Sequence, residues 1–129
     1  MFHILLLTVL LIESVLSQQG IFEPSTFQQS SCTGSYEWTS WFDTNDPDST
    51  QGDYEVTSHI QQLFNGFMCS SPTAIEAQTS FDTNPGTTGD VFKITTKDGF
   101  LCLNQKIPAY QNKICTDYKV RYCCPITSG

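Results

Sequence analysis

Two cysteines stand side by side near the end of this chain, Cys123 and Cys124, and four more precede them: Cys32, Cys69, Cys102 and Cys115. An even number of cysteines in so short a chain reads as a disulfide framework of three bridges with no free thiol. Six cysteines allow 15 connectivities, and sequence does not choose among them. The adjacent pair should bond to different partners, because a vicinal bridge strains the peptide between them. Zinc is a poor alternative: no CxxC pair is present, and His59 is the only histidine beyond the first few residues. A chain of 129 residues supports one domain with a limited core, so the bridges should decide whether it folds.

Disulfides need an oxidising compartment, and the N-terminus supplies the route. Ile4 to Ile12 is apolar apart from Thr8, too short for the roughly 20 residues that span a bilayer. Val15 and Ser17 satisfy the small-residue rule for signal peptidase, which places cleavage after Ser17 and makes residues 1–17 a signal peptide. No second apolar run suggests a membrane anchor. Residues 18–31 are polar and read as a flexible arm, residues 32–125 as the folded domain, and residues 126–129 as a tail. The expected product is secreted.

Charge is placed unevenly. From Gln18 to Asp90 there are ten acids and no Lys or Arg; beyond Asp90 there are six basic residues and two acids, Asp98 and Asp117. A formal charge of −7 argues against binding nucleic acid, whose phosphates would be repelled. The asymmetry suits head-to-tail association, a cation site or a solvated acidic surface.

The periodicity of the chain describes a small, β-rich, disulfide-stapled α+β domain with one main helix. Ser35 to Phe42 is aromatic-rich and strand-like. Asp43 to Gly52 is a loop of turn-forming residues. Asp53 is then expected to N-cap a helix carrying Val56, Ile60, Leu63 and Phe64 on one stripe, with Gly66 at its C-terminal end. Ile75, Ala77, Thr79 and Phe81 alternate as a strand. Val91 to Thr95 and Phe100 to Leu103 flank Asp98-Gly99, a hairpin signal. Tyr118, Val120 and Tyr122 alternate with Lys119 and Arg121 as a strand with one wet face.

Catalysis has little support. His59 has no marked partner on its helix, the carboxylates suggest no substrate cleft, and the cysteines are expected to be oxidised. The chain reads as no enzyme. The acidic stretch Asp43, Asn45, Asp46, Asp48, Asp53 and Glu55 offers oxygen ligands of the kind calcium takes, although its spacing is not that of an EF-hand. Turn chemistry and helix capping account for the same residues equally well. Trp38 and Trp41, three apart, read as core or cross-strand aromatics.

Several motifs in order carry a family resemblance. Cys32 precedes Trp38-Thr39-Ser40-Trp41-Phe42-Asp43, and Gly52-Asp53-Tyr54-Glu55, Ile60, Cys69 and Ile75-Glu76 follow. Leu101-Cys102-Leu103-Asn104-Gln105, Cys115, Asp117-Tyr118-Lys119-Val120-Arg121 and Cys123-Cys124 complete the series. Together, over about Cys32 to Pro125, they resemble the WxxW module, the cysteine-rich module of gel-forming mucins and cartilage intermediate layer proteins. Tyr36, Thr79 and Lys93 stand at or near positions that are often cysteine in mucin modules, so the mucin pairing does not transfer whole. The glycosylated repeats of mucins are absent too. The resemblance implies a calcium site at Asp43, Asn45, Asp53 and Glu55, and C-mannosylation of Trp38. It implies a structural or interaction module of an extracellular matrix or mucus-type network, with matrix or mucus components, or further copies of itself, as partners. An acidic protein of mineralised matrix and a small disulfide-rich binding or defence protein are the other expectations from its composition.

Overall fold

The computed structural model describes residues 22–105 and 113–127. The signal peptide expected over residues 1–17 and the last two residues of the expected tail lie outside that range. Six strands form two three-stranded antiparallel sheets. In the first, β1 (Tyr36–Trp38) and β3 (Ala74–Thr79) flank the central β6 (Tyr118–Pro125). In the second, β2 (Asp53–Val56) and β4 (Val91–Thr95) flank β5 (Gly99–Leu103). A short helix, α1 (Thr57–Leu63), follows β2 directly. Strands carry the architecture, and three disulfides pin it.

The alternation of β6 sets the core. Tyr118, Val120 and Tyr122 point inward and are wholly buried, while Lys119 and Arg121 face outward. On β3, Ile75 and Ala77 join the same core and Glu76 and Gln78 share the outer face with Arg121 and Lys119, their partners in register. Phe92 and Phe100 bring the second sheet against the first. The rings of Phe100 and Tyr118 lie 4.4 Å apart between centroids, and those of Phe92 and Phe100 5.3 Å. Burying such rings supplies most of what a small core has to offer.

The hairpin forms where Asp98-Gly99 predicts it, with Thr95 opposite Gly99. Gly99 has φ of +100°, and a Cβ there would come within 2.0 Å of the Glu55 carbonyl. Gly52 is equally constrained, since its Cβ would meet the Cys102 carbonyl at 1.8 Å. These two glycines let β2 lie flush on β5, which matters because β2 carries two acids of the site.

Three expectations need correction. Asp53 does not cap a helix: Asp53 to Val56 is a strand paired with β5, the helix begins at Thr57, and its N-cap Val56 makes no side-chain hydrogen bond. The alternating pattern of β2 turns its acids inward and so defeats a helical reading. The apolar stripe then reduces to Ile60, wholly buried, with Phe64 packed beside it, while Leu63 is 57% exposed. The first aromatic segment is not one continuous strand. Thr39 interrupts it by accepting the Tyr122 N–H on its own hydroxyl, and Phe42 rejoins β6 through paired backbone hydrogen bonds with Val120. Phe81 lies past the end of β3 and is 82% exposed.

The described part of the 18–31 arm, residues 22–31, lies along the domain rather than apart from it. The Ser25 N–H donates to the Phe92 carbonyl at 2.7 Å, the Ile94 N–H donates to Ser25 Oγ at 3.2 Å, and Phe27 packs against the core. The outer edge of β4 thereby gains partners it would otherwise present to solvent.

Cys32 bonds to Cys123, Cys69 to Cys124 and Cys102 to Cys115. Adjacent residues on a strand point to opposite sides, so Cys123 and Cys124 reach different partners. The two long bridges, spanning 91 and 55 residues, tie the N-terminal segment and the loop after α1 to β6. Loop-closure entropy makes each native bridge worth roughly 2–5 kcal/mol.

Candidate functional site

Two groups of side chains flank β6. The first is acidic. The Phe42–Val120 pairing sets Asp43 beside Asp117, the residue that leads into β6, and the loop after Asp43 curls back along β2. Carboxylate oxygens of Asp43, Asp46 and Asp117 all lie within 4.8 Å of one another. Behind them, Asp53 and Glu55 are wholly buried. Glu55 Oε2 accepts from the backbone N–H of Thr44 at 2.7 Å and from its hydroxyl at 2.6 Å, and Oε1 accepts from the Asn45 N–H at 3.4 Å. Asn45 Oδ1 accepts the Tyr54 N–H at 3.0 Å, fastening the loop to β2. Asp53 Oδ2 accepts the Tyr118 N–H at 2.5 Å, whereas Asp53 Oδ1 and Asp117 Oδ1 are buried with no partner among the described residues.

The electrostatics follow from this crowding. Burial drives the carboxyl groups of Asp53 and Glu55 well above the ordinary range, against the opposing pull of the Tyr118 N–H on one and of Thr44 and Asn45 on the other; the neighbouring acids add to the rise. Asp117 is raised to about 6 by burial and by Asp43 and Asp46, and Asp43 is raised by burial and by Asp46. No ion pair among the described residues reaches this cluster: Lys93, Lys113, Lys119 and Arg121 pair with Asp98, Asp90, Asp82 and Glu76. Three carboxylates thus meet in front of two buried ones, no cation among the described residues pairs with them, and two buried oxygens have no partner among those residues.

An all-oxygen donor set of carboxylates fits a hard divalent cation, calcium above all. Asp43, Asp53 and Glu55 of the sequence-predicted set come together here, and Asn45 lies against them with its carbonyl oxygen engaged by Tyr54. Asp48 stands apart as a turn former, its carboxylate taking the N–H groups of Thr50 and Gln51 and the Thr50 hydroxyl. Sequence reasoning omitted Asp117, which lies far along the chain; its place at the head of an alternating strand was the one signal available. A second grouping, Asp90 with Cys102 and Cys115, offers no metal site, because the two cysteines are bonded together. Asp90 is instead tied down by Lys113, the Thr116 N–H and the Tyr118 hydroxyl, which hold its carboxyl below the ordinary range despite burial.

The second group is aromatic and basic. Trp38 and Trp41 stand half-buried outside the core, on the outer face of the first sheet. The Arg121 guanidinium carbon lies 4.7 Å from the ring centroids of both, and Lys119 Nζ lies 5.1 Å from that of Trp41. Arg121 also donates to Glu76 Oε1 at 3.1 Å, and Lys119 pairs with Asp82. The result is a ladder in which each cation has both a ring and a carboxylate. Each cation–π contact at such a half-exposed site contributes roughly 0.5–1 kcal/mol. His59 is exposed on α1.

A family profile described as the Mucin-2 protein WxxW repeating region matches residues 38–124, from the first tryptophan of the ladder to the last cysteine. Human cartilage intermediate layer protein 1 is 36% identical over 110 residues, covering 84% of this chain and 9% of that protein. Human cartilage intermediate layer protein 2 is 34% identical over 94 residues, 72% of this chain and 8% of the relative. Human mucin-5B is 32% identical over 97 residues, 72% of this chain and 2% of the relative. The similarity therefore spans less than a tenth of each relative's length and takes in the acidic loop, the tryptophan pair and all the cysteines from Cys69 to Cys124. The chain belongs to the WxxW family of mucins and cartilage intermediate layer proteins.

Proposed function

We propose that this chain is a secreted, non-catalytic structural or interaction module of an extracellular matrix or mucus-type network, and that calcium in the acidic cluster completes its fold. The observation that carries the calcium reading is the pair of buried oxygens, Asp53 Oδ1 and Asp117 Oδ1, with no partner among the described residues, beside the close grouping of Asp43, Asp46 and Asp117. Asp43, Asp46, Asp53, Glu55 and Asp117 would hold the ion. A bound divalent charge supplies the electrostatic partner that these carboxylates lack, and with it the loop after Asp43 is fixed to the head of β6. The names of the relatives support the matrix and mucus setting, and the three disulfides suit an oxidising compartment. The wholly buried position of Asp53 and Glu55 favours a structural role over general acid–base work on a substrate. Trp38, at the end of β1 and half-exposed, is the proposed acceptor of a carbon-linked mannose; a chymotryptic peptide from secreted material carrying one added hexose on Trp38 is the expected result, and an unmodified Trp38 there would refute it.

Calorimetric titration of chelator-treated protein with calcium is the test. Extracellular sites bind with Kd of about 10⁻⁴–10⁻³ M, so millimolar calcium should raise stability by ~1 kcal/mol. Saturable binding of one ion, with a melting temperature that rises with calcium and falls with chelator, is expected. No binding heat and an unchanged melt up to ten millimolar calcium would remove the site.

A further inference from the structure

We propose that Asn65 is a site of spontaneous modification, where the side-chain amide is lost as the folded protein ages and a carboxylate, in part that of an isoaspartate, takes its place. The sequence there is Asn65-Gly66, just past the end of α1 at Leu63. The reaction needs no enzyme and no reactant but water. The backbone nitrogen of Gly66 attacks the side-chain carbonyl carbon of Asn65. One C–N bond forms, the bond to the amide nitrogen breaks, and ammonia leaves with the Gly66 proton. A five-membered succinimide remains. Water opens it at either carbonyl: one opening leaves aspartate, and the other routes the main chain through the side-chain carbon and leaves isoaspartate.

The fold sets Asn65 apart from the other described asparagines, each of which is held. Asn45 Oδ1 accepts the Tyr54 N–H at 3.0 Å, and Asn84 Oδ1 accepts the Gly86 N–H at 2.7 Å. Asn104 is held at both ends, donating to the Asp48 carbonyl at 2.6 Å and accepting the Cys115 N–H at 2.8 Å. Asn65 is exposed, and its side chain makes no hydrogen bond among the described residues. The residue that follows matters as much. Asn84 precedes Pro85, whose nitrogen carries no proton to lose, whereas Asn65 precedes a glycine, which has no side chain to hinder its nitrogen. A Cβ on Gly66 would meet nothing within 4 Å, so the ring and the water that opens it have room. Asp98-Gly99 could form the same ring, but Gly99 is buried in β5 against the Glu55 carbonyl and the Asp98 carboxylate is paired with Lys93. The product puts a negative charge just beyond the C-terminal end of α1, where the helix dipole disfavours it, and between the exposed Leu63 and Phe67 in the chain. This chemistry is local and stands whether or not the acidic cluster binds calcium.

The experiment ages the whole secreted chain, bridges intact, at neutral and at mildly alkaline pH, and then digests it for peptide mass spectrometry. The peptide that holds Asn65 should gain the mass of an amide turned acid, faster at the higher pH, and resolve into aspartate and isoaspartate forms. Peptides that hold Asn45, Asn84 and Asn104 should stay unchanged over the same interval. The isoaspartate should accept a methyl group from isoaspartyl methyltransferase, and Asn65→Gln, an exposed change expected to melt as the parent does, should abolish most of that labelling. An intact Asn65 in the folded chain, while the reduced and unfolded chain converts, would show that the turn protects it and overturn the proposal. Conversion of Asn45 or Asn104 as fast as that of Asn65, or methyl labelling unchanged in Asn65→Gln, would overturn it equally.

Discussion

The two sides of β6 solve the problem of charge in opposite ways. On the tryptophan side each cation has its carboxylate and its ring, Arg121 with Glu76, Trp38 and Trp41, and Lys119 with Asp82 and Trp41. On the acidic side Asp43, Asp46 and Asp117 gather in front of the buried Asp53 and Glu55 with no cation among the described residues, and two of these acids' oxygens are buried without a partner there. A self-satisfied network is a staple, and its contribution should be insensitive to added ions. An unbalanced one is a site, because folded protein bears the cost of a buried charge only where something else balances it.

The largest effect that separates the two is expected at Arg121. Arg121→Ala removes two ring contacts and the Glu76 pair and leaves Glu76, itself part-buried, without a partner. A loss of about 2 kcal/mol in chemical denaturation is expected, the same in calcium and in chelator. A loss that appeared only in chelator would tie the ladder to the acidic cluster and break the distinction.

A smaller effect, of opposite character, is expected from pH on the metal-free protein. Asp53, Glu55 and Asp117 have folded-state pKa values above those of the unfolded chain, about 4 for such groups. The folded protein therefore holds protons that the unfolded chain gives up. Their stabilising effect is present below the unfolded values and is lost as pH rises through the folded ones, Asp117 near 6 and the buried pair above it. Metal-free protein should melt at a higher temperature at pH 5 than at pH 8. Calcium, which takes the deprotonated carboxylates, should stabilise more at pH 8 than at pH 5. A metal-free melt that rises from pH 5 to pH 8 would contradict the assignment. The smallest effect is expected of Lys119→Ala, about 0.5 kcal/mol, since its carboxylate partner Asp82 is largely exposed and screened. A loss above ~2 kcal/mol in the same denaturation series would show that the ladder acts as one cooperative unit.

What the sequence disclosed and what it hid divide along the same line. The hairpin at Asp98-Gly99 and the alternation of Tyr118, Val120 and Tyr122 are legible because apolar side chains there do what apolar side chains ordinarily do, and point inward. Asp53-Tyr54-Glu55-Val56 is misread as the start of a helix for the converse reason. Its alternation is that of a strand, but the inward residues are acids, which ordinary patterning assigns to the surface. Such an inversion fits the proposed cation site. The tryptophans, read as core or cross-strand aromatics, take the second place: they stand on the outer sheet face, because Arg121 and Lys119, far along the chain, supply the surface they stack on. Asp117 escaped notice on the same ground, since only the antiparallel register of β6 brings it to the loop. The resemblance named Asp43, Asn45, Asp53 and Glu55; the structure adds Asp46 and Asp117 to the acids and shows Asn45 tying the loop to β2.

The central claim is that Asp53 is buried to hold a cation, which takes the place of its proton, and thermal unfolding of Asp53→Asn beside the parent, each in chelator and in calcium, tests it most directly. The amide keeps the shape and one acceptor for the Tyr118 N–H while removing the charge. In chelator the variant should be as stable as the parent or more so at pH 8, and calcium should raise the melting temperature of the parent and not of the variant. A variant less stable than the parent in chelator, or one that gains as much from calcium as the parent does, would contradict the account.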